Sequence, residues 1–572
     1  MKKAIALLTL PLIAFAASAQ SALDGGALMK QDIKGTARFM SMGGAFGALG
    51  GDMSTLSYNP AGIGVYRHSE IGLTMDFDIQ NSSTDFNGNK NEDNHFKFLI
   101  NNAGYIGSFN MNSDVMPNFN WGVTYNRKAS FNRRFTGTAY NLGNSLSNYI
   151  AGVANNSGVL QDDITGPYDP YNSNSNQAPW LTILGYDSYY ISPNSTDPNN
   201  PNWVGQYVYG TTGIGTVTNI EKGGIDEYNI ALGGNIKNIV YWGMDFGITS
   251  LDYNRKTYWG ESLDNASVDL GTGYQTVGAD WDLYNQYRVK GTGFNYKLGV
   301  IIKPIQELRI GFAMHIPTWY GLTEYYYADT SYAYYDNNGD RITHNSDGEN
   351  IGSGAQTNDG YEGVNDFSFR TPWRFIGSIA GVIGNSLIVS ADIDWTGMQY
   401  THFSTPKYNN YWYDDDYWYW DAPAKMPTKS SSSDPYYYTN SDVKDYYKTS
   451  TTVRIGAEYR VLPQFSVRAG YAYTTSPVKE SAKNGSDIVY TSDPNPSYEF
   501  DNDINYVSCG LGYRYKSFYA DLAYCYRVAK SEWHAYSPGI GDNDYSGSKN
   551  GCPVAKVTST DNQLVLSMGF RF

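Results

Sequence analysis

Apolar and polar residues alternate with a period of two along much of the chain. In the first such segment, Ile71, Leu73 and Phe77 fall on one face, and Asp76 and Asp78 fall on the other. This period is typical of a β-strand with one apolar and one polar face. Fourteen segments show it and are predicted as strands: 69–80, 96–110, 118–134, 223–236, 240–258, 282–303, 308–326, 366–383, 386–401, 448–461, 464–477, 503–515, 517–530 and 561–572.

The connections between the predicted strands alternate between short and long. Lys237-Asn238 and Lys516 are two of the short ones. Outer-membrane barrels combine short periplasmic turns with long external loops, and bacterial ones have an even number of strands. The pattern therefore predicts an all-β fold, a 14-stranded antiparallel transmembrane β-barrel over residues 69–572. The long connections are 81–95, 135–222, 259–281, 327–365, 402–447, 478–502 and 531–560.

The longest of these external loops, 135–222, 327–365 and 402–447, are rich in Asn, Asp, Ser, Gly and Tyr. Loops of this composition are usually solvated and variable. A short helix is predicted from Ser145 to Ala154, at the start of the first of them.

Both ends of the chain are typical of an exported barrel. Residues 1–19 combine a basic start, an apolar core and a small-residue cleavage site, as in a secretory signal peptide. Residues 564–572 alternate strictly and end on the aromatic Phe572, which resembles the final strand of a bacterial outer-membrane barrel. We therefore predict export through a cleaved signal peptide and a location in the outer membrane of a Gram-negative cell.

The composition agrees with a barrel and argues against some partners. Aromatic residues make up 16% of the chain, with 53 Tyr and 13 Trp, and barrels place such rings at both membrane interfaces. After the signal segment no run of about 18 apolar residues occurs, so no transmembrane helix is predicted. The net charge of −15 argues against nucleic-acid binding, which requires a basic surface.

The three cysteines do not have the pattern of a disulfide. Cys509 falls on the predicted lipid face of its strand, Cys525 on the predicted lumen face of the next strand, and Cys552 in a loop. Because neighbouring strands cannot join opposite faces, we predict three free thiols.

The segment before the first strand, residues 20–68, does not show the strand pattern. It is rich in Gly and Ala but also contains Phe39, Met40, Phe46 and Leu56. A free periplasmic tail would expose these apolar side chains to water, so a partly helical plug inside the barrel lumen is favoured.

The motifs of this segment resemble those of a known family. Gly43-Gly44-Ala45 and especially Asn59-Pro60-Ala61-Gly62 are similar to the lumen plug, or hatch, of the FadL/TodX family of outer-membrane transport proteins. The resemblance implies a monomeric 14-stranded barrel that passes long-chain fatty acids or aromatic hydrocarbons passively. It also implies a set of plug residues that take part in gating, although Asn59-Pro60 equally fits a simple helix terminator. The candidates are Gly35, Arg38, Gly43, Gly44, Asp52, Asn59, Pro60 and Ala61.

Charged residues of both signs fall on the predicted lumen faces of the strands. Paired networks that hold the plug are the favoured role for them. A bound carboxylate headgroup would need an unpaired Arg or Lys, for which Arg309, Arg454 and Arg468 are candidates. The lumen charge candidates are Lys297, Arg309, Arg454, Glu458 and Arg468.

Three other functions compete with a channel for hydrophobic compounds. Hemin uptake needs His or Tyr ligands, but the six His are scattered without paired spacing. A scaffold is the second alternative, in which the aromatic loops bind a protein or glycan. An enzyme is not predicted, because neither a Gly-x-Ser-x-Gly elbow nor a phosphate-binding Gly-x-x-x-x-Gly-Lys-Ser/Thr loop occurs. We predict no cofactor and no metal site. The expected partners are a fatty-acid-like solute and the lipid and lipopolysaccharide of the membrane.

Overall fold

A closed antiparallel barrel forms the body of the protein. This computed structural model describes residues 21–171, 178–271, 273–345, 347–384, 386–406, 435–483, 489, 491, 493–537 and 551–572. Within them, fourteen strands make up the wall, four of them interrupted by two to four residues. They are β1 Glu70–Phe86, β2 Asn89–Asn110, β3 Asn118–Ser130 with Arg133–Tyr140, β4 Thr212–Ile236, β5 Val240–Asp269, β6 Tyr274–Ile305, β7 Leu308–His315 with Trp319–Tyr335, β8 Gly363–Arg370 with Arg374–Ile383, β9 Leu387–Gly397 with His402–Ser404, β10 Thr449–Arg460, β11 Phe465–Thr474, β12 Tyr498–Tyr515, β13 Phe518–His534 and β14 Val554–Arg571.

The first and last strands close the barrel. β1 pairs with β2 on one side and with β14 on the other, from Glu70 opposite Arg571 to Asp85 opposite Lys556. Ser69 and Phe572 exchange two backbone hydrogen bonds of 3.0 Å beside this pair. All fourteen predicted strands and the predicted fold class are confirmed.

The two faces of the wall differ as the alternation predicts. Large apolar side chains such as Ile71, Phe77 and Ile248 stand exposed on the outside at alternate positions. Charged and amide side chains such as Asp76 and Lys297 face inward and are buried. This arrangement gives the apolar band and polar interior of a transmembrane barrel.

Two of the predictions of long loops are wrong. Residues 81–95 continue β1 and β2 to a turn at Asn87-Gly88, and residues 259–281 continue β5 and β6 to a turn at 270–273. These strand ends extend beyond the apolar band, so both faces carry polar residues and the alternation that marks a strand disappears. The other five long connections shorten as well, to 141–211, 336–362, 405–448, 475–497 and 535–553.

Part of the external loop region folds over the mouth of the barrel. It contains α4 Leu146–Ser157, α5 Gln161–Thr165, α6 Trp180–Asp187 and a two-stranded sheet of Ile191–Pro193 with Trp203–Gly205. The helix predicted after Ser145 is therefore confirmed, with that residue as its N-cap. We call residues 141–211 the cap.

Several predictions fall wholly or partly outside the described residues. The signal peptide is one of them, as is the aromatic run within the 402–447 loop, since residues 1–20 and 407–434 are not described. After that gap, α7 spans Tyr437–Tyr446, and α8 spans Glu480–Lys483 in the following loop. None of the helices in the described part of the chain is long and apolar enough to cross a membrane.

All three cysteines are described and free, as predicted. Cys509 is exposed on the outer face and Cys525 is buried on the lumen face. The Cys552 thiol donates to the Tyr536 carbonyl oxygen at 2.6 Å.

Candidate functional site

Residues 21–69 lie inside the barrel and form what we call the plug. Its helices are α1 Ala22–Leu28, α2 Ala37–Ser41 and α3 Thr55–Tyr58, followed by a 3₁₀-helix at Pro60–Val65. Gly43 and Gly44 have φ angles of +63° and +75°, a region that other residues rarely adopt, and they turn the chain after α2.

Two polar side chains hold the plug in its own shape. The Asp52 carboxylate accepts hydrogen bonds from the Thr36 hydroxyl at 2.7 and 2.8 Å. Asn59 donates to the Gly47 carbonyl oxygen at 2.5 Å, and its side-chain oxygen accepts from the Ala61 N–H at 3.1 Å. Asn59 therefore caps the 3₁₀-helix that begins at Pro60 and also fixes an earlier turn of the plug.

Buried ion pairs join the plug to strands on several sides of the wall. Lys34 Nζ lies 2.7 Å from Asp76 on β1, and Arg38 Nε lies 2.8 Å from Glu458 on β10. Such pairs contribute little net stability when they form, but loss of one partner leaves an uncompensated buried charge. Two further ion pairs also join the plug to the wall. Asp24 lies 3.2 Å from Arg255 on β5, and Asp32 lies 3.6 Å from Arg527 on β13.

Tyr58 is held from three sides by the wall. Its hydroxyl accepts from Arg454 Nη1 at 2.6 Å, and its carbonyl oxygen lies 2.7 Å from His315 Nε2. The guanidiniums of Arg374 and Arg454 lie 5.5 and 4.9 Å from its ring centroid, within the range of cation–π attraction. Tyr58, which directly precedes Asn59, therefore has the largest number of wall contacts that we find for a residue of the plug.

Glycines of the wall let the plug backbone approach closely. A Cβ added at Gly243 would lie 2.1 Å from the Pro60 carbonyl oxygen, and one at Gly470 would lie 2.1 Å from the Gly43 nitrogen. At the Gly35 position of the plug, an added Cβ would lie 2.4 Å from the Ser54 hydroxyl oxygen. No larger residue fits these positions without displacement of the plug.

The lumen charge candidates are all engaged. Lys297 Nζ lies 2.8 Å from both Glu227 and Asp245. Arg309 donates to the Leu49 carbonyl oxygen of the plug at 2.6 Å.

The remaining candidates form chains of alternating charge. Arg454 contacts Asp394 at 3.1 Å. Arg468 contacts Glu458 and Asp521, each at 2.6 Å. The structure therefore places Arg454 and Arg468 in paired networks. Arg309 donates to the Leu49 carbonyl oxygen and has no carboxylate within 4.0 Å among the described residues, so it alone of the three headgroup candidates lacks an ion-pair partner there.

Sequence analysis missed several of the strongest plug contacts. Lys34, Tyr58 and Arg374 were not singled out. Asp392, one of the charges on the predicted lumen faces, accepts from the Gly47 N–H at 2.9 Å. Tyr58 directly precedes the Asn59-Pro60 element, which was the available signal. Tyr58 and Arg454 are 396 positions apart in the chain, and Lys34 and Asp76 are 42 apart, so spacing gives no indication of the pairs.

A cavity of about 220 Å³ lies between α1 and the wall. Its lining combines apolar side chains such as Met29 and Tyr253 with charged ones such as Arg133 and Asp501. Ligand pockets usually measure about 300–1,000 Å³, so the cavity as it stands holds only a small molecule or part of a long one.

The cap packs against the wall at the mouth of the barrel. Stacked rings of Tyr190 and Trp281, with centroids 3.9 Å apart, join the cap to β6. The buried Glu261 carboxylate of β5 accepts from the Ser145 hydroxyl at 2.5 Å and from the Leu146 N–H at 2.9 Å, at the start of α4.

The fold and the site together define a class, an outer-membrane barrel whose lumen is filled by its own N-terminal segment. Residues 243–536 match the family described as outer membrane protein transport protein (OMPP1/FadL/TodX). The chain belongs to this family, which consists of transport proteins of the outer membrane rather than enzymes, and the predicted family and location in the outer membrane are confirmed at that level.

Comparison with known proteins also gives similar solved structures. A FadL homologue of Pseudomonas aeruginosa is 15% identical with a TM-score of 0.46, and the match covers 95% of this chain and 99% of that one. The toluene transporters TodX of P. putida and TbuX of Ralstonia pickettii are 11% and 12% identical, with TM-scores of 0.43 and 0.42 and the same coverage. No protein with a curated description matches the sequence.

Proposed function

We propose that this protein is a channel for passive uptake of hydrophobic compounds across the outer membrane, with long-chain fatty acids or similar lipids as its substrates. The observation that carries the proposal is the manner in which the plug is attached. Beside the buried apolar packing around Phe39 and Met42, the plug is held to the wall by ion pairs and hydrogen bonds, such as Lys34 with Asp76 and Arg38 with Glu458. Contacts of this kind exchange without unfolding the barrel, so the plug can shift while the wall stays intact.

The proposed path has three stages. A solute is captured at the exposed aromatic surface of the cap, where Tyr168 and Tyr209 are 73% and 90% exposed. It then enters the cavity beside α1, whose mixed lining suits a molecule with an apolar chain and a polar head. Release to the periplasm follows displacement of the plug. Passage is diffusional, because no step along this path consumes a nucleotide.

The plug residues have distinct roles in this proposal. Arg38 and Asp52 hold the closed position through a wall contact and an internal contact. Gly35, Gly43 and Gly44 permit the tight turns and close approach that the closed position requires. Asn59, with Pro60 and Ala61, forms the rigid turn that moves with Tyr58 when the plug shifts.

The surroundings of the barrel follow from its outer face. We propose that the exposed apolar band contacts lipid and lipopolysaccharide, and that the protein works as a monomer. No resident cofactor enters the mechanism.

The experiment is uptake by a bacterial host that lacks its own fatty-acid channel, with labelled oleate, toluene and hemin as solutes. A disulfide between the plug and the wall supplies the mechanistic test. A Cβ at Gly47 would lie 2.9 Å from the Ser378 Cβ on β8, so a shift of about 1 Å gives the separation of a disulfide. We expect Gly47→Cys/Ser378→Cys to lose uptake when oxidised and to regain it on reduction.

The two single-cysteine variants control for the three native thiols and for the substitutions themselves. The proposal is supported if uptake of oleate or toluene depends on the redox state in the double variant and not in the single variants. The solute that is taken up then identifies the solute class. Uptake of hemin alone would show that the channel carries hemin and not fatty acids. A folded barrel that takes up none of the three solutes would favour a scaffold that binds a protein or glycan.

A further inference from the structure

On the outer face of β4–β7, the chemical type of the side chains changes in a fixed order above the apolar band. Strand pairing aligns its residues in rows, since Ile248 of β5 lies opposite Phe294 of β6, which lies opposite Trp319 of β7. Every second residue of each strand faces outward, so the same strand pairing gives each further row towards the external end of the barrel. The rows carry apolar, then cationic, then tyrosine side chains.

The lowest row belongs to the membrane. Ile248, Phe294 and Trp319 are 45%, 47% and 37% exposed, and the two rings stack with centroids 5.4 Å apart. Exposed aromatic residues at the edge of the apolar band mark the membrane interface.

Four cations follow directly above this interface. Lys290 and Arg288 are the second and third outward-facing residues above Phe294, while Lys222 and Lys256 stand beside them on β4 and β5. Lys290 lies 3.4 Å from Asp252, with both side chains about half exposed. Within the described residues, Lys222 and Lys256 have no carboxylate within 4.0 Å.

The local charge is opposite to that of the whole chain. Outward-facing positions within 222–226, 250–256 and 286–292 carry four cations and two carboxylates, and Glu362 beside Arg288 adds a third carboxylate, whereas the chain has a net charge of −15. The Arg288 guanidinium lies 4.3 Å from the centroid of the Tyr325 ring and 3.5 Å from Glu362. A cationic group fixed at the membrane surface is suited to a phosphate of the outer leaflet.

Tyrosine rings form the uppermost rows. Tyr258 and Tyr284 lie 4.7 Å apart, and Tyr284 and Tyr327 lie 6.2 Å apart, which gives a three-ring ladder across β5–β7. Such rings have an apolar face and a hydroxyl, so they can contact sugar rings and donate hydrogen bonds to them.

We infer that this face binds a phosphorylated glycolipid of the outer leaflet, the lipid A part of lipopolysaccharide. The order of the rows matches the order of groups in that molecule. Acyl chains lie on Ile248, Phe294 and Trp319, and sugars lie on the tyrosine ladder. Phosphates lie against the cationic row formed by Lys222, Lys256, Arg288 and Lys290. This site is independent of the solute proposed above, because all of its residues face away from the lumen.

The test is native mass spectrometry of the full-length protein in detergent with defined lipids. The lipids are bisphosphorylated lipid A, its dephosphorylated form and phosphatidylglycerol. The variant is Lys256→Gln/Arg288→Gln/Lys290→Gln. The matched control is Lys90→Gln/Lys530→Gln/Lys556→Gln, which removes the same charge from exposed positions on the opposite side of the barrel.

We expect the patch variant to bind bisphosphorylated lipid A at least about tenfold more weakly, while the control binds like the wild type. We also expect the wild type to prefer this lipid over both others. Equal binding by the two variants would overturn the inference. So would equal binding of dephosphorylated lipid A by the wild type, a result that needs no variant to fold. Equal binding of phosphatidylglycerol would reduce the site to a general anionic surface and overturn the glycolipid assignment.

Discussion

Arg38 of the plug and Glu458 of β10 are 420 positions apart in the chain, yet two hydrogen bonds of 2.8 and 3.3 Å join their side chains. The same carboxylate accepts from Arg468 at 2.6 Å. One carboxylate therefore neutralises a cation of the plug and a cation of the wall. The closed position of the plug depends on this shared partner.

Replacement of Glu458 by Ala is expected to loosen the plug. Arg38 and Arg468 would both lose a buried partner, at a cost of about 3–5 kcal/mol for an uncompensated buried charge. We expect frequent open events in planar-bilayer conductance and greater sensitivity of cells to large antibiotics. Arg38→Ala should act in the same direction.

The matched control is the pair of Arg134 and Asp93, 3.0 Å apart on the external part of β2 and β3, where the Arg134 side chain is 52% exposed. Exposed pairs contribute about 0–1 kcal/mol. Asp93→Ala should therefore leave conductance unchanged. If Glu458→Ala behaves like Asp93→Ala, the shared carboxylate does not hold the plug.

A methyl group at Gly470 is expected to displace the plug from β11. An added Cβ would lie 2.1 Å from the Gly43 nitrogen and 2.2 Å from the Met42 carbonyl carbon, both backbone atoms that cannot rotate away. Overpacking of this kind costs about 1–3 kcal/mol. We expect Gly470→Ala to lower the temperature at which the barrel unfolds on gels, and Gly321→Ala, with no atom within 4 Å of its added Cβ, to leave it unchanged.

The wall was predictable from sequence because lipid imposes a two-residue period on every spanning strand. Ile71, Leu73 and Phe77 carry that signal wherever the outer face meets lipid. Above the apolar band the signal ends, so the outer ends of β5 and β6, residues 259–269 and 274–281, were assigned to loops. A strand with polar residues on both faces shows no alternation of apolar and polar residues, so the sequence pattern does not identify it.

The plug was predictable as a segment but not as a set of contacts. The apolar residues and the Asn59-Pro60 motif indicate a folded element inside the lumen. Its anchors on Glu458 and Arg454 depend on which strands the plug faces. Local pattern carries no information on that placement, because the partners meet only after the barrel closes.

Replacement of Glu261 by Ala is expected to release the cap from the wall. The carboxylate also accepts hydrogen bonds from Trp259 Nε1 at 2.9 Å and from the Tyr190 hydroxyl, so four donors would lose their acceptor. Unsatisfied buried donors cost about 1–3 kcal/mol each. We expect hydrogen exchange in α4 to accelerate about a hundredfold, which corresponds to about 3 kcal/mol.

A carboxylate outside the cap gives the control for this measurement. The Glu480 side chain of α8 is 70% exposed, and its ion pairs with Lys448 and Lys483 are 3.9 and 3.8 Å long. Exchange in α4 should be the same in Glu480→Ala as in the wild type. Unchanged α4 protection in Glu261→Ala would show that the aromatic contacts alone hold the cap.

The attachment of α6 to the loop between β11 and β12 is expected to depend on pH. The Asp493 carboxylate accepts from the Leu181 N–H at 2.9 Å and from the Trp180 N–H at the start of α6. Burial raises the pKa of Asp493 to about 6, against the opposing effect of these N–H groups. Because the folded pKa exceeds the ordinary value of 3.8, the stabilisation is complete below about pH 4 and decreases as the pH rises through about 6.

Hydrogen exchange at Trp180 and Leu181, corrected for intrinsic rates, measures this effect between pH 4.5 and 7. We expect wild-type protection to decrease at most about tenfold over that range, since Asp493 is partly exposed in the structure. Asp493→Ala should show weaker protection and no such pH dependence, because the titrating group is gone. Asp197→Ala, at an exposed position of the cap, should retain the wild-type profile. A pH profile that persists in Asp493→Ala would assign the titration to another group, such as Asp187 of α6, whose pKa burial also raises to about 6.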